Sequence, residues 1–96
     1  MPSQWFVYIL QCSDNSLYIG HTENIQRRLN AHNAGLGPSY TAIRRPVQLV
    51  YHESHSTRES AGRRERQIKK WTRAKKQSLI KDDMNRLHQL SKRRQP

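Results

Sequence analysis

Cysteine, long apolar runs and acidic residues are all scarce in this chain. Its one cysteine, Cys12, excludes an internal disulfide and a cysteine-based zinc site, and it fits a cytoplasmic location. No apolar run approaches the length that spans a membrane, and no charged stretch precedes the N-terminal run as it would in a signal peptide. These absences predict one small domain whose core comes from a few dense apolar segments.

Acidic residues number 7 against 18 Lys and Arg in 96 residues, which gives a net charge of +11. Residues 1–57 hold four Arg and three acids, a net of +1, whereas residues 58–96 hold fourteen Lys or Arg and four acids, a net of +10. A second half this cationic predicts a polyanionic partner, most simply nucleic acid. On charge alone, the alternative is a cationic surface that only improves solubility.

Three apolar segments predict the strands of one small sheet. Residues 5–12 read WFVYILQC, an aromatic and β-branched run typical of a central strand. A polar turn cluster separates this run from a second short strand at residues 16–20, so the two form a hairpin. Residues 47–53 read VQLVYHE, which alternates in part and predicts a third strand.

The length of the hairpin loop decides where two tyrosines point. A loop of three residues, 13–15, pairs Leu10 with Tyr18 and puts Tyr8 and Tyr18 on one face of the sheet. A loop of two residues sends these phenols to opposite faces. Because Asn15 suits the left-handed position that three-residue loops need, we predict the three-residue loop.

Helix starts are marked by capping residues. Thr22 precedes a helix that we predict over residues 23–33. A capping box that begins at Ser56 predicts another helix from about residue 57. The segment SKRRQP at the end of the chain is typical of a frayed tail. Before it, residues 72–80 and 84–90 predict one or two more helices, with contacts from Leu79, Ile80, Met84, Leu87 and Leu90.

The helix over residues 23–33 carries polar residues on its apolar side. Ile25 and Leu29 define the inward stripe, and Arg28 and His32 lie on the same stripe, whereas Arg27 points toward solvent. A cation on the inward side is costly unless something there needs it, so Arg28 is the candidate functional residue. The alternative is that Arg28 sits at the border of the stripe and extends outward.

Glu65 is the only acid between residues 60 and 81, and it is predicted to face inward between Ala61 and Ile68. Buried charges are usually paired or bound to metal. Glu65 is therefore either a metal ligand or the partner of a neighbouring arginine.

These pieces, in this order and at these spacings, resemble the GIY-YIG nuclease superfamily, and most closely its small standalone YhbQ-like members. FVY (6–8) stands where the family has Gly-Ile-Tyr and keeps only the tyrosine, whereas YIG (18–20) is intact. RRLNAH (27–32) and AGRRERQIKKW (61–71) match the helix segments that carry the family's arginine, histidine and glutamate. The resemblance covers roughly residues 5–80.

The resemblance implies an α+β fold, a three-stranded antiparallel sheet flanked by helices in the order β-β-α-β-α-α. We expect residues 1–80 to form the nuclease-like domain, and residues 81–96 a helical extension and basic tail of it. The resemblance further implies a metal-dependent endonuclease that hydrolyses phosphodiester bonds in DNA, including branched or damaged DNA, in repair or recombination. No separate DNA-binding domain is expected in this chain, so a protein partner that helps to bind DNA is compatible with this function.

The resemblance also implies roles for individual residues. Glu65 would bind one Mg²⁺ or Mn²⁺ ion, and Arg28 would hold the scissile phosphate. Tyr8 or Tyr18 would deprotonate or orient the attacking water, for which a metal and nearby cations would have to lower the phenol's pKa.

His32 and His21 complete the implied catalytic set. His32 would join in proton transfer, and His21 follows the YIG motif where some relatives carry a lysine that assists water activation. For both histidines the alternative is a plain hydrogen-bonding role. Trp5 and Trp71 are predicted to fill the core rather than to stack on bases.

The cationic residues, above all the Arg/Lys series at 58–76, are expected to contact the nucleic-acid backbone without reading sequence. Two rival functions stay open: a nucleic-acid-binding protein that keeps the fold with little or no cleavage, and a basic ribosome- or RNA-associated protein. The predicted contact residues are Arg44, Arg45, Arg63, Arg64, Lys69, Lys70, Arg73, Lys75 and Lys76.

Overall fold

The computed structural model describes residues 4–93, and it describes side chains as far as residue 83. Its order is β-β-α-α-β-α-α, so the predicted α+β class is confirmed, and one short helix is added within the Gly/Pro-rich segment 34–46. In residues 4–93 no helix is both long and apolar enough to cross a membrane. The elements are β1 (Trp5–Gln11), β2 (Leu17–Thr22), α1 (Ile25–Asn33), α2 (Ser39–Ala42), β3 (Gln48–His55), α3 (Arg58–Lys69) and α4 (Arg73–Arg93).

The sheet is antiparallel with strand order β2-β1-β3, which makes β2 an edge strand. Leu10 pairs with Tyr18, so the predicted three-residue loop is confirmed. Asn15 takes the left-handed conformation there, with φ of 70°. The rings of Tyr8 and Tyr18 therefore share one face, with centroids 6.4 Å apart.

The two faces of the sheet bury separate clusters of side chains. On the first, Val7, Ile9 and Ile19 pack with Ala61 and Ile68 of α3. We name this the α3 face; Leu79 and Ile80 of α4 also pack against it, as predicted. On the second, the α1 face, Tyr8, Leu10, Cys12 and Val47 pack with Leu29 of α1. The alternation of strand side chains thus divides the core in two.

Both predicted helix caps were wrong by one or two residues. The cap of α1 is Asn24, whose side chain accepts a hydrogen bond from the Arg27 amide at 3.0 Å, while Thr22 accepts one from the Asn24 amide. The cap of α3 is Thr57, which accepts from the Ser60 amide at 3.1 Å, instead of Ser56. A cap needs an extended backbone three residues before the amide that it serves, and the chain puts these residues there.

One helix, α4, spans both segments that were predicted as one or two helices. The predicted contacts of Met84, Leu87 and Leu90 lie outside the described side chains. Of the predicted tail, residues 91–93 continue α4 and residues 94–96 lie outside the described residues.

A polar cluster centred on Glu53 fixes α3 against β3. The carboxylate accepts hydrogen bonds from Tyr51 Oη and His55 Nε2, both at 2.6 Å, and from Arg64 Nε at 3.1 Å. Burial acts to raise the pKa of Glu53, but these donors outweigh it and the pKa lies below its ordinary value. Burial and the neighbouring carboxylate raise the pKa of Tyr51 to about 12. Arg64 is therefore committed to Glu53 and away from Glu65.

Candidate functional site

Four of the predicted site residues meet on the α1 face. Tyr8 Oη lies 3.0 Å from His32 Nε2, and Arg28 Nε donates to Tyr8 Oη at 3.5 Å. Tyr18 packs its ring edge-on against the His32 ring, with centroids 5.2 Å apart. Tyr8 and His32 are buried, whereas Arg28 is half-buried. The inward stripe predicted for α1 thus brings a cation and an imidazole to a buried phenol.

Gly20 allows Tyr8 to reach the edge of the sheet. It pairs with Tyr8 across the hairpin, and a Cβ on Gly20 would lie 2.6 Å from Tyr8 Cζ. Real side chains do not approach so closely, so the Tyr8 ring crosses β2 only because residue 20 has no side chain.

Glu65 lies on the α3 face, together with His21. Because His21 is three residues after Tyr18 in β2, it points to the opposite face from Tyr18. His21 Nδ1 donates to Glu65 Oε1 at 2.8 Å, and Lys69 Nζ lies 3.1 Å from Glu65 Oε2. Glu65 therefore pairs with a histidine and a lysine instead of a neighbouring arginine.

Two open grooves lie along the β2 edge, and both are lined by His21, but only the first also reaches Arg28 of the α1-face cluster. The first, of about 650 Å³, is lined by Arg28, Arg27, Trp5, His21 and Arg58, among others. The second, of about 610 Å³, shares His21 and Arg58 with the first and adds Arg63 and Arg66. Arg27, which was predicted to face only solvent, is exposed but forms part of the first groove.

Residues 4–78 match the GIY-YIG catalytic domain. The chain belongs to the GIY-YIG family. It is 51% identical over 77 residues to a UPF0213 protein of Staphylococcus aureus strain Mu3, a match that covers 80% of this chain and 94% of that protein.

Two solved structures share the fold. The solution NMR structure of the UPF0213 protein BH0048 from Bacillus halodurans has a TM-score of 0.54 and 38% identity, over 81% of this chain and 83% of that one. That of the protein EF2693 from E. faecalis has a TM-score of 0.58 and 36% identity, over 84% and 86%. The resemblance predicted from the motifs is therefore confirmed, as is the fold.

The matched range spans the positions of the six predicted catalytic residues, whose roles stay predictions, and it gives the chain a nuclease-type fold. The division at residue 80 stays a prediction. Arg58 and Arg66 line the second groove; they belong to the cationic series 58–76 predicted to contact nucleic acid, but neither was named individually. A signal was present for Arg58, because it precedes Glu65 by seven residues, two helical turns, and so lies on the same side of α3.

The nine cations predicted to bind nucleic acid divide between several places. Arg63 and Lys69 lie beside His21 and Glu65. Arg44 stacks 3.9 Å over Tyr40, whose ring stacks on Tyr18. The others lie elsewhere: Arg45 donates to the Ala42 carbonyl, Arg64 binds Glu53, Lys75 lies over Trp71, Arg73 donates to the Asn15 carbonyl, Lys70 is exposed and Lys76 is half-buried.

The two tryptophans pack against the α3-face core, as predicted, and each also borders a cation. Trp5 lines the first groove with the Arg58 guanidinium 5.5 Å from its ring, and Trp71 lies beneath Arg64 and Lys75.

Burial sets the protonation states on the α1 face. It raises the pKa of Tyr8, and the hydrogen bond from Arg28 only partly offsets this. Burial and then the charge of Arg28 lower the pKa of His32. Hydrogen bonding to Tyr8 raises the pKa of Arg28. At neutral pH the cluster therefore holds a neutral phenol, a neutral imidazole and a guanidinium cation.

Among residues 4–83, no group of three or more His, Cys, Asp or Glu side chains gathers to hold a metal ion. Glu65 is a lone carboxylate with a histidine beside it. Magnesium and manganese favour oxygen ligands, and magnesium keeps several waters and often takes only one or two carboxylates from the protein. Because the Lys69 side chain is half exposed, it can withdraw and free one oxygen of Glu65. The donor set therefore fits one such ion shared with a phosphate.

Proposed function

We propose that this protein is a metal-dependent endonuclease that hydrolyses phosphodiester bonds in DNA, in repair or recombination. The observation that carries the proposal is one arginine-lined groove at the β2 edge that is lined both by Arg28 of the Arg28–Tyr8–His32 cluster and by His21 of the His21–Glu65 pair. Phosphodiester hydrolysis needs an activated water, neutralised phosphoryl oxygens and a stabilised leaving oxygen. Each of these needs has a candidate group here.

Arg28 would neutralise negative charge on the phosphate, and Glu65 would bind the metal ion. The Arg28 guanidinium lines the first groove and offers a fixed fork of donors to a phosphate. Glu65 would hold one Mg²⁺ or Mn²⁺ ion, with His21 fixing the orientation of its carboxylate. When bound, the ion would polarise the phosphoryl group and favour ionisation of a bound water.

Tyr8 or Tyr18 would orient and deprotonate the water, and His32 would take part in proton transfer. Burial keeps Tyr8 neutral, so it can accept a proton only if its own proton leaves. His32 Nε2, 3.0 Å away, is the nearest acceptor for that proton.

The DNA backbone would follow the two joined grooves. Arg58, Arg63 and Arg66 border the second groove, and Arg27 and Arg28 border the first, with His21 between the two groups. Arginines along an open groove would bind phosphates, and phosphate contacts carry no sequence information, which supports recognition of backbone and shape over sequence.

A cleavage assay tests the proposal. Wild-type protein with Mg²⁺ or Mn²⁺ is expected to nick supercoiled or branched DNA, and Glu65→Gln to lower the rate about 10²–10³-fold, the scale of losing one electrostatic stabiliser. Asp82→Asn, an equal loss of charge at an exposed position on α4, should cleave as wild type does. Undiminished cleavage by Glu65→Gln would contradict the proposal.

A second candidate function is nucleic-acid binding with little or no cleavage. The observation in its favour is that His21 and Lys69 already occupy both oxygens of Glu65. Retained DNA binding without cleavage on any of the substrates would select this function.

Binding without divalent ions tests the grooves separately. The double variant Arg58→Gln/Arg63→Gln is expected to weaken duplex binding and to reduce the slope of log affinity against log salt by about 2, because each phosphate contact adds about 0.9. The control is Lys81→Gln, which removes one exposed cation at the hairpin-turn end of the sheet and outside the predicted contact residues. If the single variants Arg58→Gln and Arg63→Gln each change the slope no more than Lys81→Gln does, the grooves are not the binding track.

A further inference from the structure

Thr41 and His32 are the buried polar residues of the described core, and each is 0% exposed. His32 Nδ1 and Thr41 Oγ1 are 2.8 Å apart, and Thr41 Oγ1 lies 3.1 Å from the Pro38 carbonyl. Sequence patterning placed Thr41 only in the Gly/Pro-rich segment 34–46 and assigned it no role, yet it lies directly behind the imidazole that contacts Tyr8.

The hydrogen bonds on Thr41 have only one consistent direction. The Pro38 carbonyl can only accept, so the Thr41 hydroxyl donates its proton there. Thr41 Oγ1 must then accept from His32, which puts the proton of the neutral ring on Nδ1. His32 Nε2 is left with a free lone pair, and it accepts the hydrogen bond from Tyr8 Oη.

We infer that Thr41 is a positioning residue that holds His32 in its Nδ1–H tautomer, so that Nε2 takes the phenolic proton of Tyr8 as water attacks the phosphate. This inference rests on the proposed hydrolysis, and it selects Tyr8 over Tyr18. Tyr18 meets His32 through its ring, whereas Tyr8 meets it through its hydroxyl.

The proton transfers balance within this cluster. Water gives one proton to Tyr8 Oη while Tyr8 gives its own to His32 Nε2, and the water oxygen bonds to phosphorus. The bond from phosphorus to the leaving oxygen breaks, and its electron pair stays on that oxygen. The His32 imidazolium then returns its proton through Tyr8 to solvent, and the leaving oxygen takes a proton from solvent on the opposite side of the phosphorus. Arg28 Nε donates to Tyr8 Oη throughout and stabilises negative charge on it.

The absence of a side chain at Gly37 makes space for the contact between Thr41 and His32. A Cβ on Gly37 would lie 2.6 Å from His32 Nδ1 and 3.1 Å from Thr41 Oγ1. The loop can therefore bring Thr41 to His32 only with glycine at position 37. Gly37→Ala gives a second way to disturb the same contact while residue 41 remains a threonine.

The tautomer can be observed in the free protein by ¹⁵N NMR of the full chain. In wild type we expect a protonated Nδ1 and an unprotonated Nε2 on His32. Thr41→Val should move the proton to Nε2, and Thr41→Ser should keep it on Nδ1. In the cleavage assay, Thr41→Val and Gly37→Ala should lower kcat about 10- to 100-fold with little change in KM, as is typical when a supporting hydrogen bond is lost.

The outcomes separate this inference from the proposed function. A wild-type His32 protonated on Nε2 would overturn the inference, even if Thr41→Val does not fold. A tautomer unchanged in a folded Thr41→Val variant that cleaves normally would overturn the role of Thr41 alone. Absence of cleavage by wild type would overturn the proposed hydrolysis and the proton transfer together.

Discussion

Tyr8→Phe is expected to lower the cleavage rate about 10²–10⁴-fold, the range for a positioned acid–base group. Phenylalanine keeps the ring in the α1-face core, so the fold should persist. The substitution leaves His32 Nε2 and Arg28 Nε without their shared partner, at a cost of about 1–3 kcal/mol in the free energy of unfolding. Single-turnover cleavage and thermal unfolding measure the two effects.

Tyr40→Phe is the matched control for Tyr8→Phe. The Tyr40 ring is 38% exposed and stacks on Tyr18, and its phenol lies outside the hydrogen-bonded cluster described above. We expect cleavage close to that of wild type. A Tyr8→Phe rate within tenfold of wild type would assign the proton transfer to Tyr18 instead.

Gly20→Ala should damage both stability and cleavage. The new Cβ would lie 2.6 Å from Tyr8 Cζ and 3.1 Å from Tyr8 Cε1, so the buried ring has to move. Overpacking of this kind costs about 1–3 kcal/mol, and each kcal/mol lowers Tm by about 4–8 °C in a domain of this size. Because Tyr8 Oη would leave Arg28 and His32, cleavage should fall about 10²-fold, as a 1 Å misplacement can cause.

Gly62→Ala, the same kind of substitution on α3, is the control for the stability effect of Gly20→Ala. A Cβ there would lie 3.6 Å from Arg66 Nη1, an ordinary contact. Alanine is the better helix former, so we expect an increase of up to about 1 kcal/mol in the free energy of unfolding. A Gly20→Ala variant with unchanged Tm and full cleavage would show that Tyr8 does not depend on this gap.

Local pattern was sufficient to predict the hairpin register and the inward stripe of α1. Asn15 identified the loop type, and the helical period placed Arg28 and His32 beside the apolar residues. The caps were wrong because Thr22 and Ser56 each lie close to a second residue with a capping side chain, and the tertiary path of the chain decides which one serves.

Such local patterns could not predict side-chain contacts between distant segments of the chain. The helical period of α3 does not indicate which strand Arg64 will meet, yet this residue binds Glu53 of β3 across the fold. Thr41 lies in a four-residue helix, too short to carry a period. By contrast, strand alternation does predict that His21 and Tyr18 face opposite ways, and the sequence reasoning did not use it.

The alternation of side chains in β2 limits which insertions and deletions this part of the gene can accept. Tyr18 and His21 serve opposite faces of one strand, so an insertion or deletion of a single codon between them would put both side chains on the same face. A change in the length of the hairpin turn keeps Tyr18 on the face of Tyr8 only if the pairing of Leu10 with Tyr18 survives. The spacing of three residues between Tyr18 and His21 is therefore what keeps one side chain in each cluster.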